Sequence, residues 1–210
     1  MRYIFPFSVL LIFSFLGVRA QEATDSGAME PKNRFEITID GKTYPVVEGQ
    51  PLKLESTLSK PSISVKLSDR KTFEAASLSF EYPKHLSFEY AKDSGIKTWT
   101  FTGNSLVVTL FALDAKIPLN TLVEAMVKKF GKKNCTIEDF KKELGHQMTN
   151  GKRLHVKIAG ANIIVDYYEL YSSDAKTGIM TFQDTIKDNG ESSDEFNKGF
   201  QMINSSIKFL

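Results

Sequence analysis

Cysteine, histidine and tryptophan are nearly missing from this 210-residue chain, which holds one Cys, three His and one Trp. A single cysteine, Cys135, closes no internal disulfide, so stability outside a reducing compartment must come from the core alone. His85, His146 and His155 show no metal-ligand spacing such as two on one helical turn. No glycine-rich phosphate loop, Gly-x-Ser-x-Gly elbow or EF-hand pattern occurs, so nothing in the sequence points to nucleotide, serine-hydrolase or calcium chemistry. No catalytic residue, cofactor or metal ligand is therefore expected. After residue 20 no stretch is apolar and long enough to span a membrane.

The chain also lacks a charge imbalance. Its formal net charge is +2, from 27 basic and 25 acidic residues. Arg2 and Arg19 fall in a leader without acidic residues, and the remainder is neutral. A neutral body without a basic stripe has no electrostatic hold on phosphate backbones, so nucleic-acid binding is not expected. The leader, residues 1–20, reads as a secretory signal peptide. Arg2 gives a positive start, Tyr3 to Val18 is mostly apolar, and Val18-Arg19-Ala20 precedes a cut at Gln21. The absence of a cysteine near the cut excludes a lipid anchor there. The expected location is periplasmic or extracellular.

What is present is a change of rhythm. Residues 21–33 are polar and read as a disordered linker. Residues 34–69 read as an N-terminal β extension. In it, Phe35, Ile37 and Ile39 alternate with polar residues, and Asp40-Gly41 signals a hairpin. Leu52, Leu54, Ile63 and Val65 continue in short pieces, and Pro45, Pro51 and Pro61 confine these to sheet edges or ends. Ala75 to Tyr82, Leu86 to Tyr90, Ile96 to Thr102 and Ser105 to Phe111 read as further strands. Leu119, Leu122, Val123, Met126, Val127 and Phe130 then recur every third or fourth residue, and the spacing predicts a helix from Pro118 to Gly131.

A second helix is expected from a Thr136 cap to Gly145, with Ile137, Phe140 and Leu144 inward. After Asn150-Gly151 the chain reads as β again, in Leu154 to Ala159, Asn162 to Tyr171 and Gly178 to Ile186. A last helix is expected behind a Ser192–Glu195 capping box, burying Phe196, Phe200, Ile203 and Ile207. The sum is an α+β fold, a largely antiparallel sheet flanked by helices.

The run Leu78-Ser79-Phe80-Glu81-Tyr82-Pro83 is similar to the opening strand of the PsbP-like family, which reads aromatic-x-Tyr-Pro. Lys97-Thr98-Trp99 to Phe111, the helix from Pro118, the strands through Tyr167-Tyr168 and the closing Phe196 to Phe209 fall in similar order. The resemblance covers residues 72–210 and leaves 34–69 outside it. It implies a three-layer α/β/α sandwich and no shared catalytic residue. The family spans a nuclear-transport GTPase cofactor, photosystem extrinsic subunits and many exported bacterial proteins.

Three functions are open at this point. The first is a non-catalytic exported protein that binds a protein partner or assists an assembly, the partner being an envelope or extracellular protein. The second is a thiol hydrolase using Cys135, which the sequence places before a helix N-terminus where a thiolate gains stability. The third is a carbohydrate-binding module using Tyr82, Phe88, Tyr90, Trp99, Tyr167, Tyr168 and Tyr171, where strand alternation exposes some of them. Asp184, Asp188, Glu191, Asp194 and Glu195 cluster around Gly190 and read either as a weak calcium loop or as an acidic helix entry. Asn134-Cys135-Thr136 and Asn204-Ser205-Ser206 match the glycosylation triplet. Oligomeric state is left open.

Overall fold

Period-two patterning over most of the chain becomes three antiparallel sheets in a computed structural model, which describes residues 27–54 and 59–210. The expected signal peptide lies outside the described residues. The fold is α+β and mostly sheet, with two α-helices among the described residues. None of these helices is long and apolar enough to cross a membrane.

The main sheet has seven strands: β6 (Ser87–Asp93), β7 (Ile96–Thr102), β8 (Leu106–Leu113), β9 (Cys135–Leu144), β10 (Gln147–Ile158), β11 (Ala161–Ser172) and β12 (Thr177–Thr185). Their spatial order is β6-β7-β8-β12-β11-β10-β9. Alternation sends neighbouring side chains to opposite faces, so Tyr167 and Tyr168 enter different cores. On one face α1 (Leu119–Phe130) lays Leu119, Val123 and Met126 against Phe111, Leu154, Val156, Val165 and Ile179. Its ends are those the sequence predicts, with Pro118 just before the first turn and Gly131 at φ 87° just after the last.

The other face is covered by α2 (Asp194–Ser206) and by a small sheet of β4 (Arg70–Ala75), β5 (Leu78–Pro83) and β13 (Lys208–Phe209). Here Phe73, Phe80 and Tyr82 pack on Trp99 and Phe101, with ring centroids 4.6 Å apart for Tyr82–Phe101 and 5.3 Å for Phe73–Phe101. Each such fully buried ring contributes about 1.5–3 kcal/mol, which is how a domain without disulfides stays folded.

A third sheet, in the order β2-β1-β3, is built from β1 (Arg34–Ile39), β2 (Lys42–Val47) and β3 (Ile63–Leu67). The β1–β2 turn is Asp40-Gly41, both at positive φ (48° and 82°).

Three local expectations are overturned. Residues 135–144 form strand β9 and no helix. Gly145 and His146, at φ 58° and 65°, make the two-residue turn of a β9–β10 hairpin that pairs Leu144 with Gln147. A glycine at positive φ serves a helix end and a hairpin turn equally, and Ile137 and Phe140 lie on opposite faces of this strand. The β structure expected to resume after Asn150-Gly151 begins earlier, at Gln147. Gly151 lies within β10, where a Cβ would stand 2.4 Å from the Phe140 ring that crosses it. At α2 the cap is Ser193 instead of Ser192, its Oγ accepting from Phe196 N at 3.0 Å.

Candidate interaction face

The ladders of the N-terminal sheet align Leu67, Phe35 and Val46, then Val65, Ile37 and Tyr44, then Ile63 and Ile39, on one face. Arg34, Glu36, Thr38, Thr43, Ser64 and Lys66 take the other. β1 is central, so its apolar residues are sheltered and Ile39 is buried. β3 is an edge strand, and among the described residues it pairs only with β1. All five of its residues are exposed, Ile63 to 57%, Val65 to 62% and Leu67 to 41%. An edge strand with alternate apolar side chains in water offers both an open hydrogen-bonding row and an apolar stripe. Lys66, 3.9 Å from Glu36, is its one charged residue.

The thiol candidate meets a different environment from the one its sequence context implies. Cys135 opens a strand, and no α-helix begins beside it. Its side chain joins Val156 and Ile163 on the α1 face, and burial pushes the thiol pKa up. A cleft of about 330 Å³ is lined by Cys135, Lys133, Asn134, His155, Asn162 and Ile163. Nevertheless Cys135 is paired with Val156 and His155 with Thr136, so thiol and imidazole point to opposite faces of the sheet. His155 Nε2 lies 3.3 Å from Glu138 Oε1, and His146 sits in the β9–β10 turn.

The acidic loop is dispersed into local contacts. Lys187 Nζ donates to Asp194 Oδ1 at 2.8 Å, Asn189 Nδ2 donates to Glu191 Oε2 at 2.9 Å, and buried Asp184 accepts from Ser193 N at 3.1 Å. No group of three or more His, Cys, Asp or Glu among the described residues is placed to hold a metal ion. Glu195, expected to cap its own helix, instead reaches the β7–β8 turn. It accepts from Ser105 N at 2.6 Å and Leu106 N at 3.0 Å, and meets His85 Nε2 at 2.8 Å. Burial pushes its carboxyl up, but hydrogen bonds from the Ser105, Leu106 and Asn104 amides and from the His85 imidazole outweigh this and hold it below the usual carboxylate range.

The strand aromatics are largely interior. Tyr82, Trp99, Tyr167 and Tyr168 are buried, and Phe88, Tyr90 and Tyr171 are half-buried at the margins of the cores. Burial raises the hydroxyl pKa of Tyr82, Tyr167 and Tyr168. Both glycosylation-triplet asparagines are engaged in the fold. Asn134 Nδ2 donates to Phe130 O and Asn204 Oδ1 accepts from Gly145 N.

Sequence reasoning did not single out Leu67 or the exposure of β3. The available signal was a five-residue strand behind Pro61 whose polar positions are only Ser64 and Lys66. It also missed the pair of half-buried Arg153 and buried Asp166, joined by two hydrogen bonds of 2.6 Å, because no short spacing marks a contact between strands. The Asp166 hydrogen bonds raise the Arg153 pKa. Compared with known proteins, the chain matches no family model and no curated sequence.

Proposed function

We propose that this is a non-catalytic exported protein whose N-terminal β extension, residues 34–69, binds an extended segment of an envelope or extracellular protein along β3. The carrying observation is the exposure of Ile63, Val65 and Leu67 on an open edge strand that continues the Phe35–Ile37–Ile39 face. An occupant that meets both the unpaired backbone groups and the apolar stripe is another strand, with apolar residues at alternate positions. Export is read from residues 1–20, and sequencing of the mature N-terminus should start at Gln21.

The assignment of residues 72–210 to the PsbP-like group belongs to the same reading. It is supported by the element order, by the Phe80-Glu81-Tyr82-Pro83 strand and by a sheet with one α-helix on each face. The thiol-hydrolase alternative lacks the helix N-terminus that motivated it, and the carbohydrate alternative lacks an exposed aromatic platform.

A photo-crosslinking residue at position 65, expressed in the native envelope, tests the reading. The expected result is one discrete heteromeric adduct that disappears with Ile63→Asp and is not formed from the remote, exposed position 174. No adduct, the same adduct from position 174, or an adduct with a second copy of this chain would overturn it.

A further inference from the structure

The linker expected at residues 21–33 is described from Gly27 onward, and it lies in a groove with specific polar contacts. Gly27 O accepts from the indole Nε1 of Trp99 at 2.8 Å. Glu30 Oε1 accepts from Lys71 Nζ at 2.5 Å. Gly27 lies beside Ala75, where a Cβ on the glycine would come within 2.5 Å of the alanine side chain. The segment therefore runs antiparallel to the outer edge of β4, its position 27 beside Ala75 and its position 30 beside Lys71.

The groove's polar groups are unusual for a core margin. Lys71 is only 8% exposed, Trp99 2% and Tyr82 0%. Tyr82 stands opposite Lys71 in the β4–β5 ladder, and its hydroxyl has no hydrogen-bond partner among the described residues. Burial and the Glu30 carboxylate both raise the pKa of that hydroxyl, so Glu30 lies within electrostatic reach of it. An ammonium, an indole N–H and an idle hydroxyl in one desolvated groove select a backbone carbonyl followed at short range by a carboxylate. Meanwhile Glu30 itself remains 55% exposed, so the contact opens toward water.

We propose that Lys71, Tyr82 and Trp99 form a second peptide-binding site, specific for an extended acidic segment with a small residue three positions before its carboxylate. In the free protein the chain's own Gly27–Glu30 segment fills it. The site is separate from β3 and does not depend on the β3 reading. Being tethered, the resident segment competes at an effective concentration on the order of millimolar, so an external peptide binds weakly until the strap is released.

The test uses the full chain with Gly27→Ala and Glu30→Gln together, and a fluorescent synthetic peptide repeating residues 27–33. Anisotropy is expected to show the doubly substituted chain binding at least about tenfold more tightly than the unsubstituted one. A peptide with glutamine in place of its glutamate, or the further change Lys71→Met, should weaken binding by about tenfold or more. Absence of binding by a variant that still melts cooperatively, or equal binding of the glutamate and glutamine peptides, would overturn the proposal. Should the double variant fail to melt cooperatively, Glu30→Gln alone is read by hydrogen exchange of the Trp99 indole N–H. Exchange at least about tenfold faster than in the unsubstituted chain supports the strap, and unchanged exchange refutes it.

Discussion

The carboxylate of Glu195, in the first turn of α2, accepts a 2.6 Å hydrogen bond from the amide of Ser105 across the sheet. With Leu106 N and His85 it makes one residue the clasp between the closing helix and the β7–β8 turn. Gly103 lies so near that a Cβ there would meet the carboxylate at 2.5 Å.

The first prediction concerns acid stability. The Glu195 carboxyl is held below its ordinary value of 4.5, so its folded-state pKa lies below its unfolded one. The stabilisation is complete above pH 4.5 and fades as pH falls through the depressed folded value. Glu195→Gln should cost about 1–3 kcal/mol at neutral pH and flatten the acid limb of the stability curve. Urea melts between pH 3 and 7 check both. An unaltered acid limb would show that the clasp does not contribute to the pH dependence.

The second prediction concerns the pair beneath β9. Asp166 is 3% exposed and, besides Arg153, has Lys142 3.9 Å away. Arg153→Met leaves a buried carboxylate almost alone and should destabilise by about 3–5 kcal/mol. Replacing both partners, as Arg153→Met with Asp166→Leu, should cost much less than the sum of the single changes. Denaturant melts of the four proteins in the cycle decide it, and strict additivity would refute the coupling.

How much of this was legible beforehand depends on the range of the signal. The α1 stripe, Pro118 and Gly131 are local, so the helix is found with its ends. Residues 135–144 carry an equally local pattern that fits two structures. Ile137, Phe140 and Leu144 have helical spacing, while Phe140 and Leu144 also share one face of a strand. Pairing with β10 decided between them, and propensity holds no information about that. The same limit hid the Glu195 clasp, separated from Ser105 by 90 residues in the chain. It also hid the edge position of β3, since Val65 reads as a strand residue whichever neighbour it has.

A third prediction follows from Gly151, which lies within β10. Phe140 crosses the glycine to meet Tyr168, at a centroid distance of 5.0 Å. Gly151→Ala would set a methyl 2.4 Å from both that ring and the Tyr167 carbonyl, so β10 or Phe140 must move. A loss of about 1–3 kcal/mol is expected, recovered in part by Phe140→Leu, which frees the ring's share of the space. Thermal melts of the single and double variants give the answer, and a neutral Gly151→Ala would mean the contact relaxes freely.

The last prediction separates a structural thiol from a reactive one. Cys135 is half-buried among Val156 and Ile163, and burial raises its pKa. With less thiolate at neutral pH than a free cysteine, it should be alkylated more slowly than glutathione at pH 7.5. The rate should climb with pH well past the point where a free thiol has levelled off. Cys135→Ser should leave the crosslink proposed for position 65 unchanged, because Cys135 and Val65 lie on different sheets, and should cost no more than about 1–2 kcal/mol of stability. Alkylation faster than that of the free thiol would require a base or a positive field at the sulfur. His155, the imidazole beside it in the β9–β10 ladder, points to the opposite face of the sheet.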